Sequence, residues 1–221
     1  MATPPHKTLR ILYADDEKSL QHRAHEEAAA DLIALVTTLQ FESVVARVLA
    51  DTAGFLYGDN LLSRFGEWGR GPKALPRRSF NEETMASVRA MNPLTKHALS
   101  SPFTGAVYDV MVGIYVRRLV GVGALDERVA ARCRHTPGVK VPDLADDFRR
   151  AYRGRAEDFA EALRATRDDL GRLLAGAWKR TTTDGLVYGK VLRHLLAADA
   201  ALGTGYGPLI AQAFADRGIT A

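Results

Sequence analysis

The sequence predicts an all-α protein, an antiparallel helical bundle. Two observations carry this. Apolar residues recur three and four positions apart through most of the chain, the spacing of one helix face. No region is β-rich, and no internal repeat is visible.

Residues 1–20 read as a short mixed segment ahead of a single helical domain over 21–221. Within them KTLRILYA suits a strand and DDEKS suits a cap for the first helix. From about 23 to 40, Ala28, Leu32, Leu35, Val36 and Leu39 fall on one helix face. Ser43 is the expected N-cap of a second helix, VVARVLADTAGFLYG, which ends near Gly58. Residues 59–82 are rich in Gly, Arg and Pro and read as a long loop with a short helix at LLSRF, long enough to serve a function. A short helix follows over 83–91. TGAVYDVMVGIYVRRLVGVG is apolar on nearly all sides, and Gly105 and Gly113 permit close approach, so this helix is expected at the centre. Asp143 or a neighbour starts a long amphipathic helix, LADDFRRAYRGRAEDFAEALRATRDDLGRLLAGAW. Asp184 is expected to cap GLVYGKVLRHLLAADAAL. A last helix, PLIAQAFADRG, opens with Pro208 and stops at Gly218.

Over 221 residues, 47% hydrophobic and 25% charged, the chain can bury an ample core and is not of disordered composition. Its 30 basic and 26 acidic residues are mixed along the helices rather than gathered in a block, which argues against a nucleic-acid partner. Cys133 is the only cysteine, so neither an internal disulfide nor a cysteine-only zinc site is available, and a reducing compartment is permitted. No window approaches about 18 consecutive apolar residues, and MATPPHKTLRILYADDEK lacks the apolar region of a signal peptide. The expectation is a cytoplasmic protein with no membrane partner.

Several polar groups have plain readings. HRAHE puts His22 and His25 three apart, beside Glu26, either as a local metal site or as a polar helix start. His194 sits in an apolar helix and reads as a half-buried packing residue. RCRH, with Cys133 and His135, is a weak metal pair. GTGYGP lacks the Lys-Ser/Thr of a phosphate loop and reads as a connection, and no G-x-S-x-G occurs.

One stretch raises a sharper question. RAHEEAAADLIALV, residues 23–36, carries Glu27 and Asp31 four apart beside an apolar run, where like charges on a helix repel. A solvated first turn would explain it, and acids there also suit the helix dipole. EEAAADLIALV also resembles the Glu-x-x-x-Asp helix of thermolysin-like zinc metallopeptidases, the gluzincins. That resemblance implies Glu27 as a zinc ligand and Asp31 as the acceptor behind a zinc-bound histidine. SVRAMNP resembles the family's short helix whose arginine binds the substrate carbonyl, here Arg89. KHALSSPFTGAVYDVMVGIY resembles the active-site histidine, here His97, followed by the buried helix. In the family that histidine stabilises the oxyanion as water attacks. LVYGKVLRHLLAADAAL and FADRGI resemble the last helices of bacterial relatives, so the likeness spans roughly residues 23–221. It implies the fold of the C-terminal domain of these peptidases and a zinc cofactor.

The departures define what the resemblance can imply. The defining His-Glu-x-x-His (HExxH), with two zinc ligands and the general base, is absent. The family's tyrosine shortly before the glutamate has no counterpart; Lys18 lies in that neighbourhood. Asn92 stands five residues before His97, where thermolysin has an aspartate that orients the histidine. Two expectations remain. One is the half of a peptidase, inactive alone, whose zinc helix comes from another segment or a partner chain carrying HExxH. The other is a non-catalytic descendant, a pseudo-peptidase, that binds a peptide or protein.

Overall fold

The computed structural model describes residues 6–64, 78–134 and 142–221. Among the described residues nine helices run in order: α1 (His6–Thr38), α2 (Glu42–Thr52), α3 (Met85–Arg89), α4 (Lys96–Gly121), α5 (Glu127–Arg134), α6 (Pro142–Tyr152), α7 (Ala156–Trp178), α8 (Tyr188–Leu202) and α9 (Gly207–Asp216). A 3₁₀ turn at Leu62–Arg64 lies where the sequence suggested a short helix at LLSRF. Among the described residues there is no strand, so the protein is all-α. No single described helix is long and apolar enough to cross a membrane. Positions 65–77 of the expected loop, and His135, lie outside the described residues.

Local readings differ at several places. KTLRILYA is not a strand but part of α1, which continues without a break past residue 20. A lone strand would leave its backbone groups unpaired, whereas a helix closes its own. Ser43 lies inside α2 rather than capping it. The connection from α1 is so tight, with Gln40 N–H on Thr37 O and Phe41 N–H on Thr38 O, that Phe41 takes the cap position. That helix ends at Thr52, not near Gly58, because Ala53 (φ 50°) and Gly54 (φ 79°) turn left-handed. A side chain at Gly54 would stand 2.3 Å from the Phe159 ring. The predicted long helix over 144–178 is two, α6 and α7, parted at Gly154 with φ 72°. Asp184 does not cap α8; a turn closes first, Leu186 N–H on Thr183 O, and Val187 is the N-cap. Pro208 opens α9 and Gly218 (φ 72°) follows its end, as expected.

The core follows from the apolar stripes. α4 packs against α1, α3, α5, α7 and α9 and buries Phe103, Tyr108, Ile114 and Tyr115 completely. At Gly113 a Cβ would come within 2.6 Å of Leu209, so α9 lies on α4 at a distance only glycine allows. α1 turns Ala24, Ala28, Leu32 and Leu35 fully inward, and Leu39, just past its end, is buried with them. Phe103 sits at the junction, 5.0 Å from the Tyr188 ring and 5.3 Å from those of Phe214 and His25.

The C-terminal end also ties down α3. Met85 N–H donates to Arg217 O at 2.8 Å. The Arg217 guanidinium, almost wholly buried, donates to Asp109 at 2.7 Å, to Glu83 O at 3.2 Å and to Asn81 Oδ1 at 3.3 Å. The short helix that ends in Arg89 is thereby held to both α4 and α9.

Candidate functional site

The site is assembled where α1 passes the first turn of α4. Thr95 caps α4, its hydroxyl accepting from Ala98 N–H at 3.1 Å. The Ser100 and Ser101 hydroxyls both donate to His97 O, at 2.8 and 3.3 Å. This turn is therefore well fixed, and it presents Lys96 and His97 to α1.

Glu27 meets both. Its Oε1 pairs with Lys96 Nζ at 2.5 Å, and its Oε2 lies 3.4 Å from His97 Nδ1. The Glu27 side chain is 17% exposed, against 43% for Lys96 and 41% for His97. The carboxylate is thus tucked in while its partners reach solvent. Asp31, one turn on, is buried. The Glu27–Asp31 stripe is therefore no solvated first turn: it flanks the inward face of α1. Repulsion between the two acids is offset at Glu27 by the Lys96 ammonium.

Arg89 is exposed at the last position of α3, a helix closed by a reciprocal Thr84–Ser87 capping box and packed on α4. Asn92 is exposed in the connection to α4, and among the described residues it makes no hydrogen bond to His97. The chain therefore brings Glu27 and His97 into contact and sets Arg89 on the adjoining helix.

The HRAHE histidines part ways. His22 faces Glu26 at 3.6 Å, one turn on. His25 is buried against Phe103 and Trp178 and accepts from Trp178 Nε1 at 3.4 Å. Burial, with a contribution from nearby His22, lowers its pKa to about 4, so it is a neutral core residue at ordinary pH. His194 accepts from or donates to the Thr181 hydroxyl at 2.8 Å and is half-buried.

The donor set can be tested against zinc. Among the described residues no three His, Cys, Asp or Glu side chains gather as a metal site. The carboxylate that the resemblance implies as a ligand already faces an ammonium and an imidazole. A single carboxylate so engaged does not make the three-ligand set of a catalytic zinc, so the described residues by themselves do not fit the metal.

Sequence reading missed Lys96, although it directly precedes His97. A lysine in the first turn of a helix is ordinary, and only its meeting with Glu27 gives it a role. It also missed Trp178 behind His25 and Arg217 behind α3. No family model matches this chain, and neither a curated protein nor a solved structure matches it.

Proposed function

We propose that this protein is a non-catalytic, gluzincin-like descendant that binds an extended peptide or a protein segment across the α3–α4 corner, through Arg89, Lys96 and His97. The observation that carries the reading is the Lys96–Glu27–His97 cluster. A carboxylate available to a metal would leave its oxygens open; here a fixed ammonium neutralises it. Lys96 and His97 keep solvent-facing surface, and Lys96 has further donors to spend. Arg89 adds a planar fork suited to a peptide carbonyl or carboxylate.

The test is binding of the purified chain to an immobilised peptide array, followed by calorimetry on the best binder. Arg89→Ala should weaken that peptide about ten-fold or more, since a hydrogen bond from a charged donor contributes roughly 1.5–3 kcal/mol. Arg89→Lys should recover only part, because an ammonium lacks the fork. Unchanged binding by Arg89→Ala overturns the reading. The chain alone should not hydrolyse casein, and chelator-sensitive hydrolysis would overturn it as well.

A second reading, the half-peptidase completed by another chain, draws on the meeting of Glu27 and His97 across 70 positions of sequence. It requires that adding a His-Glu-x-x-His helix with zinc restores hydrolysis and displaces Lys96 from Glu27.

A further inference from the structure

The other end of α4 holds a groove whose two walls carry opposite charge. It encloses about 420 Å³, within the range of small-molecule sites. α4 supplies Arg117 and Arg118, with Val122 just past its end, α7 supplies Glu161 and Ala162, and Tyr206 lines the groove from the α8–α9 connection. By helix rise, Arg117 stands roughly 30 Å from His97.

The frame of this groove is built from buried groups. Asp169 is buried and accepts from the Tyr206 hydroxyl at 2.6 Å, from Arg172 at 2.6 Å and from Arg118. Tyr206 is in turn fixed at its backbone, where its N–H donates to Asp199 at 2.9 Å. Arg118 is therefore committed to Asp169, and the nearby Asp158 is committed to Arg155 at 2.6 Å.

Arg117 and Glu161 differ from these neighbours. Both are exposed, and neither forms an ion pair with a described residue. Arg117 is nevertheless held in place: its guanidinium lies 5.5 Å from the Tyr206 ring centroid and donates to Gly205 O at 2.9 Å. That leaves further guanidinium donors for a ligand. A fixed cation on one helix and a carboxylate on another line the same groove without meeting, and apolar Val122 and Ala162 line it with them. A ligand that carries both signs and an apolar body complements all three features.

We propose that this groove binds an apolar zwitterion of amino-acid size, its carboxylate on the Arg117 fork and its ammonium on Glu161. An arginine engages a carboxylate through two parallel N–H donors, which fixes the ligand's orientation as well as its charge. The site is separate from the peptide-binding reading above, since Arg89, Lys96 and His97 take no part in it.

The experiment is a ¹H–¹⁵N NMR titration of the full chain with L-leucine. Amide shifts are expected at 117–122, 158–165 and 204–206, saturating in roughly the millimolar range that a ligand of this size reaches with two exposed charge contacts. Leucinamide lacks the carboxylate and 4-methylpentanoate lacks the ammonium, so each should bind at least about five-fold more weakly. Glu161→Gln should weaken leucine and leave 4-methylpentanoate unchanged. Arg117→Ala should weaken leucine and leave leucinamide unchanged. Both side chains are exposed, so the variants should melt with the parent. Absence of shifts up to about 50 mM leucine, near −2 kcal/mol by the same conversion, overturns the proposal. So do equal affinities for the three compounds, or shifts centred on Lys96 and His97. The last result would assign the ligand to the α3–α4 corner and leave the peptide-binding reading standing.

Discussion

The two ends of α4 each hold a carboxylate among basic side chains, and they differ in burial and in how many elements converge. At the first turn Glu27 meets Lys96 and His97, two neighbours on one turn whose side chains are 43% and 41% exposed. At the last turns Asp169 is 3% exposed and is held by α4, its own helix α7 and the connection that carries Tyr206. Burial alone would raise the Asp169 pKa, but hydrogen bonds from Tyr206, Arg118 and Arg172 outweigh it and hold the carboxyl below its usual range. One cluster can exchange a partner for a ligand at small cost. The other is part of the frame. An ion pair in a sequence does not reveal which of these it is, because solvent access decides.

The largest expected effect breaks the buried end. Asp169→Ala leaves Arg118 and the Tyr206 hydroxyl without their acceptor and should lower unfolding stability by roughly 3–5 kcal/mol. Asp169→Asn keeps an acceptor and should lose less. Urea unfolding of the pair measures this, and a loss below about 1 kcal/mol would make the two ends alike.

The next effect lies behind the exposed end, at His25. Its folded pKa, about 4, is below the ordinary 6.5, so the unfolded chain binds the proton first on acidification. Stability is therefore intact above pH 6.5, falls as the pH drops from 6.5 to about 4, and loses no more from this group below that. A shift of this size corresponds to roughly 3 kcal/mol. His25→Gln, which keeps an acceptor for Trp178 but does not titrate, should flatten stability against pH in that window. An unaltered slope would mean that His25 is hydrated.

The smallest effect sharpens the comparison. Lys96→Ala removes a half-exposed ion pair and should change stability by no more than about 1 kcal/mol. A loss as large as that of Asp169→Ala would make the Glu27 cluster a structural element and remove the case for a binding surface.

Much of the fold is legible in the sequence because a helix is a local structure. The stripe of Ala28, Leu32, Leu35 and Leu39, the apolar run of α4 and the Pro208 and Gly218 that mark the two ends of α9 all follow from spacing and caps read along the chain. The breaks were harder. Gly154 reads as one glycine in a helical pattern until its positive φ separates α6 from α7. KTLRILYA suits a strand by composition, but without a partner strand it joins α1. The candidate site was legible in part: Glu27, Asp31, Arg89 and His97 stood out by resemblance, whereas Lys96 did not.

By itself the sequence determined the helical class, the inward stripe of α1 and the central position of α4, since periodic burial needs no knowledge of the partner helix. Only the tertiary structure decided that Glu27 faces Lys96 and His97, that Asp169 is buried among Arg118, Arg172 and Tyr206, and that Arg117 and Glu161 line one groove without meeting. Each of these joins residues on separate helices. A side chain's charge is written in the chain, but its partner and its access to water are set by which helices pack together.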